Sequence, residues 1–276
     1  MLTIAQITDL HITGSADPVN RQRNAERLQA VLAAIHALRP RPAAIIASGD
    51  LANVGDPEEY AALAAILIDV EIPVYMAVGN HDRRRQFVEA FSGLYASTDA
   101  DGFVQYVVDV GDLRVVVCDT LDETRHEGAF CDRRAAWLGA ALDAAPERPT
   151  VVVMHHPPIP SGIQWMDPDP FSDWIVRLGS VLVGRPQVRT VICGHVHRAY
   201  HGTFAGRSVS VASATALQLT LDLTPFDRRV ADGRQILVGE PPGFSLLTWT
   251  GGTLVTHHCV VGHFPDQITY DTPMSV

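Results

Sequence analysis

Cysteine is scarce. Four occur in 276 residues, Cys118, Cys131, Cys193 and Cys259, widely spaced and without a CxxC pair. That excludes a disulfide-dense scaffold and fits free thiols in a reducing cytoplasm, although a pairing cannot be read from spacing alone. Long apolar runs are missing too. The richest, AALAAILIDV, is broken by Asp69 and falls short of the ~20 residues a membrane span needs. The opening MLTIAQITDLHITG lacks a basic n-region and a long h-region, so it reads as a buried strand rather than a signal peptide. Positive charge is in deficit, with a formal net charge of −10. Such a field does not attract nucleic acid polymers or anionic membranes. An anionic substrate would need a local positive charge, which a metal can supply. No internal repeat, low-complexity linker or composition break is visible, so residues 1–276 are expected to form one domain of cytoplasmic character.

What is present is an apolar chain of alternating strand and helix patterns. Hydrophobic residues make up 47%, enough for a sizeable core. Leu2 to Ile7, Ala43 to Ala47, Val74 to Val78, Val151 to Met154 and Arg189 to Cys193 read as strands. Phe103 to Val110 and Leu113 to Cys118 read as two more around a Gly-Asp turn. Helices are expected over Asn24 to Leu38, from Asp56-Pro57, over Arg83 to Phe91, Arg133 to Leu142 and Phe171 to Val183. From about residue 206 the pattern turns to β: VSVASA, RQILVG, FSLLTW and TLVTHHCVV. These apolar C-terminal strands suit pairing between subunits, so a homodimer or higher homo-oligomer is expected.

Five strands end in polar residues. LTIAQIT is followed by Asp9-Leu10-His11, AAIIAS by Gly49-Asp50, VYMAV by Gly79-Asn80-His81-Asp82, TVVVM by His155-His156-Pro157-Pro158, and RTVIC by Gly194-His195-Val196-His197. In open α/β sheets ligands collect at the carboxyl ends of strands. Five segments placing Asp, Asn or His at that edge converge on one site. Imidazole and carboxylate donors suit divalent transition metals. In DxH and HxH the two side chains share a side if the backbone is extended, so both can face one metal.

The order DxH, GD, GNHD, HH and GHxH resembles that of the calcineurin-like metallophosphoesterases. ASGDLANVGDPEEY, MAVGNHD, MHHPPIPSGIQWMDPDP and ICGHVHRAY are similar to the branch of bacterial glycerophosphodiesterases and class III cyclic nucleotide phosphodiesterases. The resemblance implies an α/β fold, a four-layer α-β-β-α sandwich with a dinuclear metal site at the carboxyl edge of its strands. It implies two divalent ions (Fe, Mn, Zn or Co) and hydrolysis of small phosphodiesters by a metal-activated hydroxide. A phosphomonoesterase on the same site, or a non-catalytic scaffold of this fold, are the alternatives. Carried over by motif, Asp9, His11 and His197 hold one metal and Asn80 and His195 the other. Asp50 bridges them, its two oxygens shared between the ions. The last ligand is His155 or His156; the family's His-X-Pro pattern selects His155, and spacing leaves His156 open. His81 matches the catalytic histidine that bonds a phosphoryl oxygen or protonates the leaving group. Asp82 orients His81 or caps the following helix, and Asn53 contacts substrate or caps its loop. Protein Ser/Thr phosphatases of this superfamily carry Arg in GDxxDRG; GDLANVG has none, which favours diesters. Some glycerophosphodiesterases carry a further His where this chain has Leu217. Trp165 or Phe171 would stack on a base or pack a lid. The run Arg83-Arg84-Arg85 reads as a solvated helix face, His126 as a loop residue, and Arg228 and Arg229 as residues near a Gly/Pro-rich bend, with contact to substrate or a second subunit the lesser alternative.

Overall fold

The computed structural model describes residues 1–91, 98–227 and 229–265; Arg228 and the last part of the expected β-rich region lie outside them. Thirteen strands and five helices are described. They are β1 Leu2–Ile7, α1 Pro18–Ala37, β2 Ala44–Ser48, α2 Pro57–Leu67, β3 Val74–Ala77, α3 Arg84–Phe91, β4 Tyr106–Val110, β5 Leu113–Val117 and α4 Asp132–Asp143, then β6 Thr150–Val153, α5 Asp173–Leu182, β7 Val188–Cys193, β8 Tyr200–Phe204, β9 Arg207–Val211, β10 Gln218–Leu219, β11 Leu237–Val238, β12 Gly243–Trp249 and β13 Leu254–Val260. Helix α1 starts well before its apolar periodicity. The Asp17 carboxylate accepts the Asn20 N–H at 3.1 Å and Pro18 occupies the first turn, a capped start that costs the helix no hydrogen bond. The expected strand at RQILVG shrinks to β11, paired only with β10.

One sheet runs β13-β12-β1-β2-β3 and the other β4-β5-β6-β7-β9-β8. Strands β1, β2 and β3 are parallel, as are β5, β6, β7 and β9. Period-two alternation builds the layers. Val115, Val117, Val151, Val153 and Ile192 join the core formed with β1 to β3, whereas Val116, Val152, Val191 and Cys193 pack with Leu138, Leu142, Ile175 and Leu178 of α4 and α5. Leu28, Val31 and Ile35 of α1, Leu63 and Leu67 of α2 and Phe87 and Phe91 of α3 pack with the first sheet. The result is the α-β-β-α sandwich. Each fully buried valine or leucine contributes about 1.5–3 kcal/mol of transfer free energy. Arg84 departs from its expected place on a solvated face. Its guanidinium grips buried Asp119 at 2.7 and 2.8 Å, and with Arg134 at 3.6 Å balances a carboxylate whose burial would otherwise be costly. Among the described residues no helix is long and apolar enough to cross a membrane.

Candidate active site

The carboxyl ends of β1, β2, β3, β6 and β7 meet at one edge of the sandwich. Backbone bonds lash them together. The Asp50 carbonyl accepts the amides of Leu10 (2.8 Å) and His11 (3.0 Å), Gly194 N–H donates to His155 O (3.0 Å), and Thr215 and Ala216 donate to Thr8 and Asp9 carbonyls (2.9 and 3.0 Å). The backbone here is not extended, contrary to the expectation for DxH and HxH. Asp9, His11, Asp50, His195 and His197 have φ of 52°, 43°, 50°, 72° and 53°. This left-handed region costs a non-glycine residue about 1–2 kcal/mol, and such strain clusters at functional sites. The chain turns sharply at each donor, and the turn rather than strand alternation aims the side chains inward. Two glycines permit the close approach. A Cβ at Gly79 would fall on the Asp50 carboxylate, and one at Gly194 on the Thr8 hydroxyl.

Seven of the expected donors converge. One set is Asp9, His11, Asp50 and His197, whose donor atoms lie within 4.8 Å of one another. His197 Nδ1 donates to Leu217 O at 2.6 Å, so its Nε2 carries the lone pair, 3.4 Å from Asp9 Oδ1 and 3.0 Å from His11 Nε2. His155 Nδ1 donates to Ser48 O at 3.0 Å. Its Nε2 is buried without a hydrogen-bond partner, 3.2 Å from Asp50 Oδ2 and 3.9 Å from Asp9 Oδ1. His195 Nδ1 lies 2.9 Å from Asn80 Oδ1. Asp50 Oδ1 accepts the His81 amide at 2.8 Å, and its Oδ2 faces both His155 and, at 3.7 Å, His11. His156 shares a donor cluster with His155 and His195. Both its nitrogens, however, are engaged, Nδ1 by the Thr120 hydroxyl at 2.8 Å and Nε2 by His126 O at 3.1 Å. Lone pairs of buried imidazoles facing buried carboxylates call for a cation, and this N/O set suits a divalent transition metal.

His81 stands beside the donors, its ring centroid 4.6 Å from that of His11. Its Nδ1 donates to Asn53 O at 2.6 Å. Asn53 therefore meets His81 through its backbone, and the residue lines the adjoining cavity. Its loop is clamped by buried Glu59, whose Oε2 accepts the amides of Asn53 (3.1 Å), Val54 (2.9 Å) and Gly55 (2.9 Å). Asp82 neither orients His81 nor caps α3. Fully buried, it accepts the amides of Gly79 (2.8 Å), Ala52 (3.2 Å) and Leu51 (3.3 Å) and the Tyr60 hydroxyl (3.0 Å). It joins the loop after β3 to the loop after β2, because four donors on one side draw the carboxylate away from the ring.

Residues 2–199 match the family described as calcineurin-like phosphoesterase. The chain belongs to that family. This phosphoesterase is 32% identical to a probable cyclic nucleotide phosphodiesterase of Rhodopseudomonas palustris, over 97% of this chain and 93% of that one. It is 29% identical to a glycerophosphodiester phosphodiesterase of Enterobacter lignolyticus, over 89% and 86% of the two chains. In fold it resembles a dimetal phosphatase from Danio rerio, with a TM-score of 0.65 at 15% identity over 95% of this chain and 96% of that one.

Electrostatics in the phosphoesterase site fit the donor set. Burial alone would depress His155, yet Asp50, with Asp9 beyond, carries it up to about 9. Burial works against the Asp50 carboxylate, and His155 and His11 nevertheless hold it well below the usual range. Burial, then His155, pushes His195 down to about 3; burial and His197 hold His11 low. Burial, then Asp50, raises Asp82 to about 6. Without metal, His155 thus keeps a proton between two carboxylates, where a metal ion would do the same electrostatic work.

The donors open onto a cavity of about 630 Å³. Trp165 lines it, backed by Phe226 at a ring-centroid distance of 6.4 Å; Phe171 is 84% exposed and turned to solvent. His126 belongs here as well. Asn80 Nδ2 donates to its Nδ1 at 3.2 Å, which turns the Asn80 oxygen toward His195. No strand-end signature marked His126, since it lies in an exposed loop. Leu217, singled out for lacking a histidine, contributes its carbonyl to His197.

Proposed function

We propose that this phosphoesterase is a dinuclear metal-dependent phosphodiesterase acting on small diesters, with cyclic nucleotides and glycerophosphodiesters as the candidate classes. One observation carries the reading. His155 and His11 both face Asp50 Oδ2, at 3.2 and 3.7 Å, and the donors around them open, beside His81, onto a cavity sized for a small ligand. The names of the two curated relatives support the substrate class, and GDLANVG offers no arginine for a monoester's second charge. The proposed setting is the cytoplasm, where Cys118, Cys131, Cys193 and Cys259 would remain free as they are here. The proposed assembly is a homo-oligomer through the C-terminal strands.

Asp9, His11 and His197 would hold one ion, Asn80, His155 and His195 the other, and Asp50 both. Bound divalent ions, Fe, Mn, Zn or Co, supply Lewis acidity that lowers the pKa of water and offsets charge on phosphate oxygens. The chain's own residues do the rest. Ser48 O and Leu217 O fix the tautomers of His155 and His197 so that Nε2 is the donor. Asn53 O fixes His81 the same way, leaving Nε2 to bond a phosphoryl oxygen or to pass a proton to the leaving alkoxide. Glu59 keeps the Asn53 carbonyl in place.

The test is turnover of bis(4-nitrophenyl) phosphate against 4-nitrophenyl phosphate at equal metal loading, with elemental analysis. About two metals per chain and faster diester turnover are expected. Faster monoester turnover would overturn the diester reading, and protein that binds no metal would overturn the whole assignment.

A further inference from the structure

Helix α1 presents Asn20, Arg23 and Asn24 to the cavity, positions three and four apart and so on one face. Arg23 is the only arginine among the described lining residues, and the chain contains no lysine. Its neighbours on the helix are spent. Arg21 pairs with Glu58 at 3.4 Å; Arg27 donates to the carbonyls of Thr215 (2.9 Å), Ala216 (2.7 Å) and Glu240 (2.8 Å). Arg23 has no carboxylate partner among the described residues. It donates one bond, from Nε to Asn24 Oδ1 at 3.3 Å. Buried Asn24 donates in turn to the carbonyl of His11 at 2.7 Å. The guanidinium is thereby tethered to the site while both terminal nitrogens stay uncommitted. In a chain of net charge −10, an unpaired guanidinium at a cavity wall is conspicuous, since arginine forks readily find a carboxylate or phosphate.

We propose that Arg23 is a specificity residue that receives a second phosphate group, a monoester carried on the substrate diester away from the scissile bond. This rests on the diesterase reading above. Within the candidate diester classes, the preferred members are then those that carry a second phosphate.

The test compares thymidine 5′-(4-nitrophenyl phosphate) with its 3′-phosphorylated counterpart on metal-loaded protein, reading nitrophenol release. The two esters differ only in the second phosphate. Wild type is expected to favour the phosphorylated ester by about tenfold in kcat/KM, mainly through KM. Arg23→Gln should bring the two within about twofold while hydrolysing the plain ester as wild type does, and Arg23→Lys should keep an intermediate preference. Equal use of both esters by wild type would overturn the proposal, as would a preference that survives Arg23→Gln. Equal loss of both esters in Arg23→Gln would also overturn it, by placing Arg23 in the machinery common to all diesters, as would loss of 4-nitrophenyl phosphate turnover alone, by placing it on the scissile phosphate. Release from neither ester by wild type would sink the diesterase reading and this proposal with it.

Discussion

His81 is held by one backbone carbonyl and by no side chain of its own motif. That separates it from Asp82, its neighbour in GNHD. His81→Ala removes the imidazole beside the His11 ring and leaves all seven proposed metal donors in the chain. We expect kcat on bis(4-nitrophenyl) phosphate to fall about 10²–10³-fold with metal content unchanged; wild-type turnover by the variant would remove His81 from the mechanism. Asp82→Asn asks the opposite question. The variant keeps one acceptor oxygen where the carboxylate satisfied three amides and the Tyr60 hydroxyl. The expected cost is about 1–3 kcal/mol of stability, seen as a lower Tm, with the pH–rate profile keeping its shape. A displaced profile would show that Asp82 does act through His81.

The elements that carry the site meet only where a side chain is missing. Gly194 ends β7 against the end of β1, and a methyl group there lands on the Thr8 hydroxyl and 2.7 Å from Asp9 Oδ2. Gly194→Ala should force the two strand ends apart and lower bound metal by more than half, an order-of-magnitude expectation from overpacking costs of about 1–3 kcal/mol. Adding Thr8→Ala, which removes the hydroxyl, should restore part of that metal; an unaltered metal content in Gly194→Ala would disprove the steric account. Such contacts mark the limit of what the sequence discloses. The strands, most helix centres and the polar strand ends were legible, because apolar periodicity and the Gly-Asp, Gly-Asn-His-Asp and Gly-His-X-His clusters are local. The left-handed turns at Asp9, His11 and His195 were not, because they depend on bonds to segments distant in sequence, such as the Asp50 carbonyl that receives the amides of Leu10 and His11. The bond from the His81 amide to Asp50 Oδ1 was illegible for the same reason: it joins the loops after two different strands. His126 and Arg23 carried no signal at all, one in a loop and the other on a helix face that resembles any solvated one.

For the whole molecule, the site is a store of unbalanced charge buried in an already acidic protein. Asp9 and Asp50 are almost inaccessible to water, and without metal their compensation falls to the proton on His155. Its folded pKa of about 9 exceeds the unfolded value of roughly 6.5. That proton therefore stabilises the metal-free protein fully below about pH 6.5, and the contribution is lost as pH rises through about 9; its size is at most about 3 kcal/mol. With metal bound, Nε2 would be a ligand without a proton, so metal binding would displace one and strengthen as pH rises. The gap in Tm between metal-loaded and metal-free protein should accordingly widen between pH 7 and 9.5. Differential scanning calorimetry of both forms, with Mn(II) as the loaded metal, measures it, and taking the difference cancels the titration of groups outside the site. His155→Gln, which has no proton to lose, should show a gap that no longer widens. A wild-type gap that stays constant across this range would mean that His155 is not what balances Asp50 in the metal-free protein, and that another group carries the compensating charge.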